Sequence, residues 1–323
     1  MLCQHQIKRV LVIGDGSMAA TAVSQLAAIQ GLRCAGWMYH AHDRWSERRA
    51  PALLARRALG EAFPFDHVAD GQSRSVIAAM APDLILNVNS FDIFPPDLIG
   101  AAPDGIINFH NGPLPRYRGL NIPSWAIING ESSHGVTWHR VEAGIDTGPT
   151  VARAAFEIAP GETAISLTFK CIEQGLALLP RLLASYLEGP LRASGQPMSE
   201  AEYFPGSKLP NQGFIDPCWP GEVIDRFLRG LYFHPYPNTF IRPRARLDGN
   251  TWVSGEYGEF VPGPSNGEVG ALATGPGNGL ELNCKDGIVR LFELRDQDGS
   301  AISAATDIPL VTCPGKTVRL ANR

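Results

Sequence analysis

The sequence predicts an α/β protein, a mainly parallel sheet with helices on both faces, followed by a small C-terminal β-rich domain. Three observations predict it. The chain opens on "RVLVIGDGSMAATAV", Arg9 to Val23: an apolar run, a Gly-x-Gly-x-x-Ala turn and small helix-forming residues. Strand-like and helix-like stretches then alternate, the pattern of a mainly parallel sheet. Beyond Arg242 short alternating runs such as "GLELNCKDGIVRLFEL" sit between Gly and Pro turns, the pattern of an antiparallel unit. The first part is therefore Rossmann-like and the second OB-like.

In order, Val10–Ile13 reads as a buried strand and Met18–Ala28 as a helix. Cys34–Tyr39 is the second strand, Pro51–Leu59 the second helix and Ser73–Met80 the third. "PDLILNV" and "DGIINFH" are strands; "HGVTWHRV" and "GPTVARAAFEI" read as an antiparallel pair. Ala164–Glu188 is a long amphipathic helix. "GPLRASGQPMSEAEYFPGSKLPNQG" is polar and rich in Pro and Gly, as a linker is. The expected domains are 1–205, including linker, and 206–323, a helix at Pro220–Leu231 and then the small β unit.

At 323 residues and 44% hydrophobic content the chain can bury a sizeable core. No apolar run approaches a bilayer span and no secretory leader is visible, so a cytoplasmic protein with no membrane partner is expected. The net charge of −4 argues against broad nucleic-acid affinity but leaves room for a local basic patch. Cys3, Cys34, Cys171, Cys218, Cys284 and Cys313 include no Cys-x-x-Cys pair and read as reduced, mostly buried thiols; no metal is expected.

The opening turn suggests a dinucleotide site. Such a site places an acid at the end of the second strand, about 20 residues after the glycines. Here that strand ends "WMYH", Trp37 to His40, and the nearest acid is Asp43, past the strand. The plainer reading is that Gly14 and Gly16 permit a tight turn while Ser17 caps the helix. No NAD is expected.

Chemistry is concentrated between Ile107 and Gly148, in "INFHNGPLPRYRGLNIPSWAIINGESSHGVTWHRVEAGIDTG". Asn108 and His110 are two apart on a strand, so they share a face, at the carboxyl end where open α/β sheets bind ligands. Asp146 sits in the turn "AGIDTG", which brings a carboxylate toward the sheet edge. Amide, imidazole and carboxylate suit acyl transfer. Asn108 can donate to an oxyanion, His110 can take a proton from an attacking amine, and Asp146 can orient the imidazole or shuttle a proton. No Gly-x-Ser-x-Gly elbow is present, so direct transfer between two bound substrates follows. Singly, each of the three is an ordinary turn or strand-end residue.

Together these residues resemble the formyltransferases that use 10-formyltetrahydrofolate, which include methionyl-tRNA, amino-sugar and glycinamide ribonucleotide formyltransferases. The matching marks are Asn108–His110, "LPRYRG" at Leu114–Gly119, "GVTWH" at Gly135–His139 and Asp146–Gly148. The resemblance covers residues 8–185 and continues more loosely through "GFIDPCWPGEVIDRFLRGLYFHPYPNTF". It implies 10-formyltetrahydrofolate as co-substrate and Asn108, His110 and Asp146 as the catalytic trio. It also implies a folate loop at Asn89–Ile99, with Ser90, Phe91, Asp92, Ile93 and Phe94 opposite Val141, Gly144 and Ile145. For Phe91 and Phe94 the plainer reading is core packing. On the acceptor side it places Gly14 and Ser17 at the cleft's edge, with Asn111, Gly112, Arg116, Tyr117 and Arg118. Many members read His-Pro-Ser-x-Leu-Pro where this chain reads "HNGPLP", a change that removes a hydroxyl and loosens the backbone near the incoming amine.

From Leu247 to the end ten Asp/Glu face six Lys/Arg, a poor RNA surface. "RWSERRAPALLARR" carries Arg44, Arg48, Arg49, Arg56 and Arg57, which read as a solvated helix face able to meet a small phosphate. A small-molecule amine of amino-sugar, amino-acid or peptide type is therefore expected ahead of methionyl-tRNA. Two further alternatives rank lower: hydrolysis of the folate donor, and a non-catalytic folate-binding scaffold. The C-terminal domain binds acceptor, pairs subunits into a homodimer or only stabilises; the sequence leaves these three open.

Overall fold

Alternate residues of the opening strand enter two different cores. β1 (Lys8–Gly14) sends Val10 and Val12 into one apolar cluster and Leu11 and Ile13 into another, as a strand covered on both faces must. The computed structural model describes residues 7–56, 59–247, 250–264, 267–304, 311–313 and 316–318. They form two units: the chain through Gly119 with Ser133–Phe156 and Phe169–Tyr203, and Leu120–Ser132 with Glu157–Thr168 and the chain from Phe204 on.

After β1 come α1 (Gly16–Ala27), β2 (Leu32–His40), α2 (Arg44–Arg56), β3 (Glu61–Phe65), α3 (Gly71–Met80), β4 (Leu84–Val88) and α4 (Pro96–Ile99). Then follow β5 (Ile106–His110), the two-residue β6 (Arg118–Gly119), α5 (Ile122–Ile128), β7 (Ser133–Arg140), β8 (Thr150–Glu157) and α6 (Ala164–Glu188). The seven-stranded sheet runs β3-β2-β1-β4-β5-β7-β8. Strands β1 to β5 pair in parallel, and β7 joins β5 antiparallel. Strand order reverses between β1 and β4, the place where such sheets take ligands beyond their carboxyl ends. On one face α1 buries Met18, Val23 and Leu26, and α6 buries Leu179, Leu183 and Tyr186. On the other α3 and α4 bury Ile77, Met80 and Leu98.

Two neighbouring elements depart from the sequence reading. The second helix starts at Arg44 rather than Pro51, and Pro51 lies exposed inside it. Ser46, Ala50 and Leu54 lie one turn apart and are buried, and this inward stripe outweighs the bond that proline cannot make. β3 was not predicted because Pro64 interrupts its five residues; the strand survives at the sheet's edge, where a missing donor is tolerated. Arg44, Arg48 and Arg49 are exposed on α2; Arg57 lies outside the described residues.

The opening turn is also corrected. Gly14 is buried, a Cβ there would sit 1.7 Å from the Val88 carbonyl oxygen, and its φ is +144°. It is the close approach of β1 to β4 that demands glycine. Gly14→Ala is expected to destabilise by about 3 kcal/mol or more, read by denaturant unfolding; a midpoint unchanged from wild type would contradict this packing role. Nor does Ser17 cap α1. The helix starts two residues earlier than expected, at Gly16, and the Gly16 N–H donates to Asp43 Oδ2 and Ser46 Oγ, both at 3.0 Å. An internal carboxylate thus occupies the helix N-terminus where a bound phosphate would lie.

The second unit, after β9 (Tyr203–Phe204), holds α7 (Gly221–Gly230), β10 (Arg244–Arg246), β11 (Trp252–Pro262), β12 (Leu272–Thr274), β13 (Leu280–Cys284) and β14 (Gly287–Arg295). These strands form an antiparallel sheet ordered β10-β11-β14-β13-β12. Leu280, Leu282, Val289 and Leu291 alternate inward and share a core with Ile224, Phe227 and Leu228 of α7. Cys34, Cys171 and Cys284 are buried and Cys218 is exposed, and none of the four is in a disulfide; Cys3 lies outside the described residues. Among the described residues no helix is long and apolar enough to cross a membrane, and no group of His, Cys, Asp and Glu is arranged to hold a metal.

Candidate active site

Strand register lays three polar side chains in a row. Asn87 on β4 pairs with Asn108 on β5, and Asn108 pairs with His139 on β7. Asn87 Nδ2 donates to Asn108 Oδ1 at 2.7 Å, and Asn108 Nδ2 lies 3.0 Å from His139 Nε2. Asp146 Oδ1 stands 3.4 Å from the same ring nitrogen. Neither Asn87 nor His139 was singled out as a site residue from the sequence. The register that joins them was legible only once the strands were paired.

His110 ends β5 and is buried. Its Nε2 lies 2.7 Å from the Tyr117 carbonyl. That oxygen can only accept, so Nε2 carries the proton and Nδ1 is left bare. Nδ1 faces Asp146 Oδ2 at 3.6 Å, too far for a holding hydrogen bond but near enough to stabilise charge once Nδ1 is protonated. Burial holds the His110 pKa below the ordinary histidine value, so the ring is neutral near pH 7. Burial pushes the Asp146 carboxyl up, but His110 and His139 outweigh it and hold it at about 2. The orienting partner of the imidazole is therefore the Tyr117 carbonyl, not Asp146.

Backbone shape presents these groups. Tyr117 has φ +61° and Asp146 φ +52°, left-handed conformations that are uncommon for side chains of this kind. The Gly119 N–H donates to Asp146 Oδ2 at 2.9 Å. Gln196 Nε2 donates to the Asp146 and Gly148 carbonyls at 3.0 and 2.6 Å, tying down the turn from the segment first read as linker.

The loop between β4 and α4 divides its side chains. Phe91 and Ile93 are 75% and 72% exposed, and Ile145 is also exposed. Phe94 is 5% exposed and fills the core beside Phe65 and Leu98, which corrects its expected place facing a ligand. Val141 packs against the same cluster, while Gly144 is exposed and its carbonyl accepts from Thr147 Oγ1. Asp92 is engaged elsewhere: its Oδ2 meets His40 Nε2 at 2.6 Å, while His40 Nδ1 meets Asp15 Oδ2 at 2.6 Å. Hydrogen bonds from the His40 ring to Asp15 and then Asp92 raise its pKa to about 9, so a charged imidazole ties the loop to the turn after β1. Ser90 Oγ also donates to Asp92 Oδ2.

On the expected acceptor side, Ser17 and Arg116 are exposed and Asn111 is half-buried. Gly112 is buried, its carbonyl accepting from Thr137 Oγ1 at 2.8 Å. Arg118 Nε donates to the Ile145 carbonyl at 2.8 Å. The Tyr117 ring is buried against His134, so this residue reaches the site through its carbonyl alone.

Residues 9–183 match the formyl transferase family. The chain belongs to that family. Over 171 residues it is 32% identical to the GDP-perosamine N-formyltransferase of Brucella melitensis, covering 53% of this chain and 63% of that protein. The match thus spans less than two thirds of that relative's length. Over 225 residues it is 32% identical to the methionyl-tRNA formyltransferase of Myxococcus xanthus, covering 70% and 69%. A sugar 3N-formyl transferase, WlaRD, crystallised in the presence of dTDP and 5-N-formyl-THF, covers 90% of this chain and 98% of its own at a TM-score of 0.63 and 15% identity. HypX from Aquifex aeolicus covers 92% of this chain and 48% of its own at a TM-score of 0.66 and 17% identity. These likenesses establish the formyl transferase fold.

Proposed function

We propose that the chain is an N-formyltransferase that uses 10-formyltetrahydrofolate and formylates the amine of a small molecule. The observation that carries this is the convergence of a donor amide, a neutral buried imidazole and an ionised carboxylate at one sheet edge: Asn108, His110 and Asp146. The loops beside them fit a folate. Phe91, Ile93 and Ile145 leave apolar side chains open to a flat ring, and the backbone of Ser90–Phe94 can supply its polar contacts. When bound, the folate supplies an activated formyl carbon. As the amine adds to the formyl carbon, His110 Nδ1 takes its proton and the Asp146 carboxylate stabilises the imidazolium that results; that proton then goes to the folate nitrogen as its bond to the formyl carbon breaks, releasing tetrahydrofolate. Asn108 Nδ2 donates toward negative charge developing on the formyl oxygen.

Residues 1–205 hold all of these groups, and we propose them as the catalytic domain, with 206–323 as the C-terminal domain. Amino sugars are the first acceptor class to test, since the names of the Brucella relative and of several structural neighbours give sugar amines. The protein is incubated with 10-formyltetrahydrofolate and a panel of amino-sugar nucleotides, amino acids and peptides. Tetrahydrofolate release together with an acceptor mass gain of one CO is the expected result. Folate binding without turnover on any amine would favour the scaffold reading instead.

One observation favours methionyl-tRNA as a second reading. Arg244 and Arg246, on the edge strand β10, lie over Trp252 and Phe214 at 4.1 and 3.9 Å and form no ion pair among the described residues. They precede the acidic stretch counted from Leu247. If this strand meets RNA, methionyl-tRNA competes with amino-sugar acceptors and its binding weakens steeply with salt.

A further inference from the structure

Asn87 is 3% exposed on β4, and no motif marks it. Its Nδ2 has two acceptors, Asn108 Oδ1 at 2.7 Å and the Ser90 carbonyl at 3.3 Å. Its Oδ1 is buried and accepts nothing among the described residues.

A primary amide turned by 180° keeps its shape, so packing alone does not decide which end of Asn108 faces the reacting centre. Hydrogen-bond polarity does decide it. The Ser90 carbonyl can only accept, so Asn87 must turn its NH2 toward it. The same NH2 meets Asn108, which must answer with its oxygen. The NH2 of Asn108 is then left for the far side, where it reaches His139 Nε2. His139 Nδ1 faces the Arg140 carbonyl at 2.9 Å and carries a proton; Nε2 is shared between the Asn108 amide at 3.0 Å and the Asp146 carboxylate at 3.4 Å. The Ser90 carbonyl thus fixes the amide of Asn87 and, through it, that of Asn108. The buried Oδ1 of Asn87 is left without a compensating bond among the described residues, a cost that two apolar residues in place of the Asn87–Asn108 pair would not incur.

We propose that Asn87 is a positioning residue for formyl transfer: it locks the Asn108 amide with its NH2, not its oxygen, toward the oxygen that gains charge. The proposal rests on the formyl-transfer reading above and adds to it a polarity relay anchored in the folate loop.

Asn87→Asp keeps the shape and removes the donor. Asn108 must then turn its NH2 toward the new carboxylate and its oxygen toward the site. The expected result is a fall in kcat of about 100-fold with the folate KM within about twofold. The ratio of variant to wild-type kcat should also rise as pH is lowered from about 8 to about 6, because a protonated carboxyl regains a donor. Asn87→Leu should lower kcat with a ratio that does not change with pH. A kcat within threefold of wild type in Asn87→Asp, or a pH-independent ratio there, would overturn the proposal.

A readout independent of turnover is the protonation of His139 Nε2, measured by 15N NMR of the ring. Nδ1 keeps its proton on the Arg140 carbonyl in both proteins, while Nε2 should carry more proton in Asn87→Asp than in wild type, since it would then face the Asn108 oxygen. The same Nε2 protonation in both proteins overturns the relay. If wild type transfers no formyl group yet the Nε2 protonation rises in the variant, the formyl-transfer reading falls and the relay stands.

Discussion

Replacing His110 with alanine lowers formyl transfer by about 100- to 10,000-fold while folate affinity stays within about twofold. The imidazole is buried, and Tyr117 fixes its tautomer so that Nδ1 is bare beside a carboxylate. Removing it takes away the group that accepts the amine proton and leaves the exposed apolar side chains of the folate loop untouched. The pH profile carries the sign. Neutral His110 is the active form, and burial holds its pKa below the usual histidine value. The acid limb of kcat should therefore lie below that value. Asp146→Asn removes the charge that favours the imidazolium, so it should shift that limb further down and lower the plateau as well. An active His110→Ala enzyme, or an acid limb above the ordinary histidine range, would sink the assignment of His110 as base.

His40→Gln should raise the folate KM about tenfold, equivalent to about 1.4 kcal/mol, with kcat little changed. The loop that bears Phe91 and Ile93 is held at Asp92 by a ring that also grips Asp15, and the ring is only 12% exposed. Its pKa is raised to about 9 in the folded protein, against an ordinary 6.5 when unfolded. The contribution to stability is thus complete below pH 6.5 and is lost as pH rises through about 9; near pH 7.5 it amounts to about 2 kcal/mol. Urea unfolding between pH 6 and pH 10 tests this. Wild type should lose stability over that interval relative to His40→Gln, and parallel curves for the two would show that the paired charges contribute nothing.

The part of the site that follows from one element's own periodicity was legible in the sequence. Asn108 and His110 share a face because a strand alternates, and Asp146 lies in a turn its glycines advertise. What was hidden depends on contacts between elements. Asn87 lies 21 residues from Asn108 and meets it only through strand pairing. The role of Tyr117 resides in its carbonyl, about which a side chain's identity says nothing. Ser17 gives way as a cap to Asp43 and Ser46, which arrive from the turn after β2 and from α2. The start of α2 was misplaced because proline's preference for a first turn yielded to a buried stripe. Phe91 and Phe94 were indistinguishable until the backbone turned one outward and the other inward.

The Asp43 carboxylate at the head of α1 has a consequence for the history a fold can have. The chain keeps the geometry of a nucleotide-binding start but carries its own anion there, built in rather than borrowed. Two side chains, Asp43 and Ser46, fill the place at the amino end of α1 where such a fold can seat a phosphate, a few residues from the Asp15–His40–Asp92 clasp that holds the folate loop. The glycine turn survives here as architecture, with its guest replaced by a piece of the host.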